Sequence, residues 1–277
     1  VGTGLVLGGG GITGIAWEIG ILHGLAERGL DLANADLVVG TSAGSVVGAQ
    51  ITSGTPLDEL YRRQLAEPTG ESAAKITKST IARLALAALR SRDPQRQRKA
   101  IGKIALATET TPEAERREII ASRLPAHGWP RQKLLITAVD AASGDFEVFT
   151  SDSGVDLVDA VGASCAVPGV WPPVTIGDRR YVDGGVRSVA NADLADGCEQ
   201  IVLLAPITAG MGPIGGVHKQ AGELRKRAKV VVVSPNAEAR KAFGHNVLDP
   251  AKRAGAARAG YAQAAGEHAA VAEVWPS

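Results

Sequence analysis

Three groups of residues in this chain have types and spacings that could do chemistry. Gly40-Thr41-Ser42-Ala43-Gly44 is a G-x-S-x-G pattern. Small residues on both sides let a serine occupy a tight strand-to-helix turn, with its Oγ above a sheet and a helix N-terminus behind it that favours developing negative charge. The competing reading is that Ser42 merely caps a helix. The run Gly8-Gly9-Gly10-Gly11-Ile12-Thr13-Gly14 places five glycines in seven positions. Asp183, in Tyr181-Val182-Asp183-Gly184-Gly185, ends a strand pattern and precedes two glycines, where backbones can approach closely. An ordinary Asp-Gly turn is the alternative there.

The glycine run admits two chemistries. Gly9 to Gly14 fits G-x-G-x-x-G literally, but a dinucleotide fold also needs an acid at the end of the second strand, and that strand ends in Gly40-Thr41-Ser42. A phosphate-binding P-loop needs Gly-Lys-Ser/Thr, which neither glycine cluster has. Loops after neighbouring parallel strands face one another at one sheet edge. Gly8 to Gly11 can therefore lie beside Ser42 with bare N–H groups aimed at an acyl oxyanion, where side chains would only obstruct. The five histidines (His23, His127, His218, His245, His268) sit in no distinguishing motif and read as surface residues.

These groups need elements to position them. Gly4–Leu7 reads as a buried strand, and Ile15, Ile19, Leu22 and Leu25 recur at helical spacing up to Arg28-Gly29. Asp36 to Gly40 is a second strand, followed at once by a helix. Residues 55–125 read as mainly helical, and strands return at 133–140 and 146–150. A helix over 155–167 stopped by Pro168, a hairpin around Gly177-Asp178, strands at 200–207 and 229–235 covered on both faces, and an alanine-rich helix over 251–273 complete the chain. This alternation predicts a three-layer α/β/α architecture, a mainly parallel central sheet with helices on both faces. The chain reads as one domain over residues 1–277, with a basic helical insertion or lid at about 55–125.

Composition bounds the class. The 277 residues are 45% hydrophobic and 21% charged, ordinary for a globular protein, and the formal net charge of +1 names no partner. Cys165 and Cys198 form neither a disulfide framework nor a metal-ligand spacing, which points to a reducing, cytoplasmic setting. The uncharged, glycine-rich stretch Val1–Trp17 does not read as a signal peptide or a spanning helix.

With these residues in place, the sequence resembles the patatin-like phospholipases, a family of lipid acyl hydrolases. "GGGGITG" (8–14), "GTSAG" (40–44) and "DGG" (183–185) match its oxyanion loop, nucleophile elbow and catalytic acid in order, and "ASCAVPGVWPPVTIGDRRYVDGGV" (163–186) looks like the approach to the family aspartate. The likeness runs from residue 4 to about 207 and is poor over Lys75–Pro125. It implies a Ser42–Asp183 dyad without histidine, with Asp183 as the proton acceptor. The N–H groups of Gly10 and Gly11 would serve as oxyanion donors with Gly9 close by, and neither metal nor cofactor would take part. An unperturbed aspartate, with a pKa of about 3.9, is a poor base at neutral pH, so position and the oxyanion loop must carry much of the rate. Thr13 stands where the family commonly has Arg or Lys, one extra residue precedes Gly20, and Asp193 replaces a usual proline. The implied activity is cleavage of lipid esters of phospholipase A or esterase type. The alternative is a catalytically weak member acting as a lipid-binding or regulatory protein.

Residues 75–103 hold nine Lys or Arg against one Asp, with Ile81, Leu84, Leu86, Ala88 and Leu89 interleaved. Such a cationic amphipathic helix suits peripheral contact with an anionic membrane, against the plainer reading of a solvated face. It carries no aromatic residue on which bases could stack, which argues against nucleic acid.

Overall fold

Continuous apolar runs such as Leu5-Val6-Leu7 and Ile201-Val202-Leu203-Leu204 put apolar side chains on both faces of the inner strands, so each must be covered from above and below. A computed structural model describes residues 2–67, 74, 77–89, 91–210 and 215–276, except the side chains of Lys78, Ile81 and Ala88. It begins with β1 (Thr3–Leu7), α1 (Gly11–Ala26), β2 (Leu37–Gly40) and α2 (Ala43–Ile51), so each strand runs through a short glycine turn into a helix. Four helices follow: α3 (Leu57–Leu65), α4 (Lys78–Leu89), α5 (Pro94–Leu106) and α6 (Glu113–Arg123). Then come β3 (Lys133–Asp140), β4 (Phe146–Phe149), α7 (Leu157–Ser164), the hairpin of β5 (Val174–Ile176) and β6 (Arg179–Asp183), and β7 (Gln200–Leu204). The chain ends with α8 (Val217–Leu224), β8 (Lys229–Val233), α9 (Ala237–Phe243) and α10 (Arg253–Ala272).

Among the described residues these strands form one eight-stranded sheet in the order β5-β6-β3-β2-β1-β7-β8, with β4 also on β3. The inner ladders β3-β2-β1-β7-β8 are parallel, and β4 and β6 run antiparallel to β3. One face buries Leu5, Leu7, Val38, Ile136, Val202 and Leu204 against α1, α2, α7 and α10. The other buries Val6, Val39, Ile201 and Leu203 against α8 and the 190–198 segment. This is the three-layer arrangement the alternation of elements predicts.

Three local expectations change. β8 is an edge strand, so Val231 and Val232 are only half-buried rather than covered on both faces. α7 ends at Ser164, short of Pro168, because the Ala166 carbonyl accepts the Asp183 N–H at 3.0 Å and the chain turns to meet β6. His23 is not a surface residue: its ring stacks on Tyr61 at 4.8 Å, and its side chain is 12% exposed. His268 is also half-buried.

Candidate active site

The register on β3 determines which side chains meet. Ile136 pairs with both Gly40 of β2 and Phe149 of β4, so those two strands lie on opposite edges of β3. Ala138 pairs with both Asp183 of β6 and Glu147 of β4, so β6 also lies opposite β4. β2 and β6 therefore share one edge of β3 and meet head to head, Gly40 and Asp183 two positions apart. Ser42 lies two positions after Gly40, and its hydroxyl is near enough to the Asp183 carboxylate to favour that group's charged form.

Each partner is held by local chemistry. Ser42 takes φ 53°, ψ −116°, a left-handed conformation that a non-glycine residue adopts only under constraint. Its N–H donates to Ser164 Oγ at 2.9 Å, and its carbonyl accepts from Ser45 Oγ at 2.7 Å and Cys165 Sγ at 3.3 Å. A Cβ on Gly44 would run into the Leu7 carbonyl oxygen, so a larger residue there would push the elbow off β1. The N-terminus of α2 lies directly behind Ser42. Asp183 is 5% exposed and accepts the Gly185 N–H at 2.7 Å through Oδ1. Burial raises its carboxyl from 3.8 to about 6, against the opposing pull of its bonds from Ser42 and Gly185.

The glycine loop lies against this pair. The Gly44 N–H donates to the Gly8 carbonyl at 3.0 Å, tying loop to elbow. The Gly8 N–H donates to Leu204 O and to Glu18 Oε1, both at 3.0 Å, and the Gly9 N–H donates to Val189 O at 2.7 Å. Gly9 is therefore already engaged through its N–H. Gly10 precedes α1 and Gly11 opens it, where amides have no intrahelical acceptor, and among the described residues no acceptor meets either N–H. Gly11 has φ +61°, and a Cβ there would lie 2.7 Å from the Val247 carbonyl oxygen.

Other residues of the site have no motif of their own. Asn191 is fully buried at φ 46°; its amide nitrogen lies 3.0 Å from Thr41 Oγ1, 3.3 Å from Thr137 Oγ1 and 3.3 Å from the Gly184 carbonyl oxygen. It thus links the elbow, β3 and the turn after Asp183. Glu18 is fully buried, and burial pushes its carboxyl well above the usual carboxylate range, against the opposing pull of the Gly8 N–H. A lone acid within an otherwise apolar helix was the one sequence signal that could have singled out Glu18.

A cavity of about 320 Å³ opens from this pair, lined by Gly9, Gly10, Gly11, Ser42, Ala43 and Asp183 at one end. Its walls are mainly apolar, with Ile12, Ile15, Leu84, Ile101, Val186, Ile207 and Leu248, and with Arg116, Arg123 and Trp171 among them. None of the five histidines lines it. Among the described residues no group of three or more His, Cys, Asp or Glu could hold a metal ion. A serine hydroxyl close to a carboxylate, beside open amides and an apolar cavity, is an arrangement suited to attack on an acyl ester.

The basic stretch 75–103 lies partly outside the described residues, which omit 75, 76 and 90; the side chains of Ile81 and Ala88 are also outside. Within the described part, Leu86 is 55% and Leu89 82% exposed, whereas Leu84 lines the cavity. Arg83, Arg96, Lys99 and Lys103 line a groove of about 490 Å³ between α4 and α5. No helix among the described residues is long and apolar enough to cross a membrane.

Among solved structures, the chain is similar to VipD from Legionella pneumophila, with 13% identity, 97% of this chain and 67% of that chain covered, and a TM-score of 0.49. It is also similar to the type III effector protein ExoU, with 18% identity, coverage of 98% and 53%, and a TM-score of 0.43. A complex of SpcU with ExoU from the type III secretion system of Pseudomonas aeruginosa gives 18%, 92%, 51% and 0.37 in the same order. The chain thus spans about half the length of the ExoU chains. No curated protein matches it. The family model described as patatin-like phospholipase matches residues 5–196, more than half of the 277 and inclusive of all three motifs, and the chain belongs to the patatin-like phospholipase family.

Proposed function

We propose that this chain is a serine-dependent lipid acyl hydrolase of phospholipase A or esterase type, in which Ser42 is the nucleophile and Asp183 the general base. Membership in a family of phospholipases supports lipid hydrolysis as the class of activity. The observation that supports the finer reading is the nearness of the Ser42 hydroxyl to a buried Asp183 carboxylate, beside the open N–H groups of Gly10 and Gly11 and at the end of an apolar cavity.

Ser42 Oγ attacks the ester carbonyl carbon as Asp183 takes its proton. The carbonyl oxygen becomes an oxyanion and receives the Gly10 and Gly11 N–H groups. Collapse breaks the bond to the alcohol oxygen, which takes the proton back from Asp183 and leaves an acyl-Ser42 ester. Water, giving its proton to Asp183, attacks that ester in turn. Release of the fatty acid returns the proton to Ser42. A base raised to about 6 by burial suits this work better than an unperturbed aspartate, yet remains ionised at pH 7.

Turnover of p-nitrophenyl acyl esters, with labelling of Ser42 by a fluorophosphonate, tests the proposal. Activity that survives both Ser42→Ala and Asp183→Asn would remove this site from the chemistry. A protein that binds lipid but neither labels nor turns over substrate would be the binding protein of the alternative reading.

Residues 55–125 form the proposed insertion of a single domain and act as a roof, a reading supported by Leu84 of α4 and Ile101 of α5 on the cavity wall. Peripheral membrane contact through this roof draws support from the exposed Leu86 and Leu89 of α4, the first of which lines a groove with four basic side chains.

A further inference from the structure

Glu18 is fully buried on α1, about two turns of helix beyond Gly11. Helical side chains lean towards the N-terminus, and this carboxyl reaches back to the loop that precedes its own helix, where Oε1 accepts the Gly8 N–H at 3.0 Å. Among the described residues no hydrogen-bonding group meets Oε2. Such an acid is costly, because burial strips its water and one oxygen gains nothing in return. The fold does not require it. The Gly8 N–H also donates to the Leu204 carbonyl at 3.0 Å, continuing the β1–β7 ladder, so an apolar side chain at position 18 would leave that N–H with a partner.

Gly8 joins the two halves of the site. Its carbonyl accepts the Gly44 N–H of the elbow at 3.0 Å, and the amides of Gly10 and Gly11 follow a few bonds further along the chain. Consecutive glycines have wide backbone freedom, and an oxyanion donor works only where it is held. Later points of the loop are pinned by the Gly9 N–H on Val189 O and the Thr13 N–H on Val247 O at 3.1 Å. We propose that Glu18 is a positioning residue of the acyl-transfer site. Its Oε1, a second acceptor on the Gly8 N–H, fixes the root of the glycine loop and with it the direction of the Gly10 and Gly11 amides. Glu18 does not line the cavity, so it acts through backbone alone. The inference rests on the hydrolase reading and adds to it a residue that never meets substrate.

Glu18→Met keeps the length of the side chain and removes the acceptor, whereas Glu18→Gln keeps the acceptor in an uncharged group. On p-nitrophenyl acyl esters, Glu18→Met should lower kcat about tenfold or more and change KM by less than about twofold. Its melting temperature should equal or exceed the parent's, since no buried acid remains to be desolvated. Glu18→Gln should keep at least about a third of kcat. The loss in Glu18→Met should not add to that of Gly11→Ala, because both act on the same amides. Hydrogen exchange at Gly8 and Gly9 reads the loop without turnover, and should quicken about tenfold in Glu18→Met and little in Glu18→Gln.

Equal losses of activity in Glu18→Met and Glu18→Gln overturn the proposal. So does a Glu18→Met protein that fails to fold, or that loses activity only as it loses stability, since the acid then serves the fold. Ester turnover by the parent, with kcat and exchange unaltered in Glu18→Met, defeats this inference alone. A parent that neither turns over esters nor labels with a fluorophosphonate, yet shows the exchange difference, defeats the hydrolase reading alone.

Discussion

The side-chain amide of Asn191 lies 3.0 Å from the hydroxyl of Thr41, across 150 positions of chain. The same nitrogen lies 3.3 Å from the carbonyl oxygen of Gly184, so one buried group touches the neighbours of both Ser42 and Asp183. Asn191→Ala should destabilise the fold by about 2–3 kcal/mol, since it leaves buried partners unsatisfied. It should also lower kcat about tenfold or more by loosening the dyad. Asn191→Asp puts an acceptor where the donor was and should lose as much activity. Denaturant titration together with kcat reads both effects, and full activity in a stable Asn191→Asp protein would refute the positioning role.

Acidity should act on rate and stability in opposite directions. Asp183 must be ionised to accept a proton, so kcat/KM should rise about tenfold per pH unit up to about pH 6 and then level off. Stability runs the other way. The folded carboxyl sits at about 6 against the usual 3.8, so the folded state binds more protons than the unfolded state between those values, and stability falls as pH rises through them. The penalty is absent below 3.8 and complete above about 6, where it amounts to about 3 kcal/mol. Asp183→Asn should therefore abolish activity yet exceed the wild type in stability at pH 7.5, with the difference shrinking towards pH 4. Denaturation midpoints at those two pH values check the sign.

Gly11→Ala should disable the oxyanion loop. Its Cβ would sit 2.7 Å from the Val247 carbonyl oxygen at a φ of +61° that alanine resists, so the amide must turn away. Loss of one such donor should lower kcat by about a hundredfold or more. Fluorophosphonate labelling should slow in parallel, because the phosphonyl oxygen uses the same amides. Wild-type rates in Gly11→Ala would show that the oxyanion is stabilised elsewhere.

Leu86 and Leu89 are exposed on α4, where Leu86 lines the groove with Arg83, Arg96, Lys99 and Lys103, and vesicle flotation tests what they are for. Leu86→Ser with Leu89→Ser should weaken binding to anionic vesicles about fivefold or more, since two exposed leucines would otherwise bury in the interface. Equal binding of the unmutated chain to anionic and neutral vesicles would remove the electrostatic contribution.

The parts of the site that a reader could find in the sequence are those where a close approach of backbones forces the residue type. The elbow glycine Gly44 is dictated by its approach to Leu7, and the run Gly8–Gly11 by backbone close to backbone, so composition alone betrays them. Asp183 is recognisable only as a motif, because its nearness to Ser42 depends on where β2 and β6 pair along β3. Asn191, Thr137 and Ser164 are ordinary polar residues whose roles arise from contacts more than 50 positions away. Arg116 lies in a helix rich in solvated charge, and its burial against Trp171 cannot be told in the sequence from the exposed setting of Arg117, which pairs with Asp159 at 2.6 Å. The layered sheet followed from period and alternation, whereas edge position at β8 and the early end of α7 required tertiary pairing.

The end-to-end meeting of β2 and β6 makes β3 a ruler. Gly40, two positions before Ser42, and Asp183 end strands that lie in line along one edge, and their spacing is the rise of the strip between Ile136 and Ala138, about 7 Å. Deleting Thr137 would shorten that strip by one step and turn the Asp183 side chain to the opposite layer of the molecule. Lengthening or trimming the surface loops would leave the gauge unchanged. Evolution can therefore vary the loops around this site widely, but must copy three consecutive positions of a buried strand with their count intact.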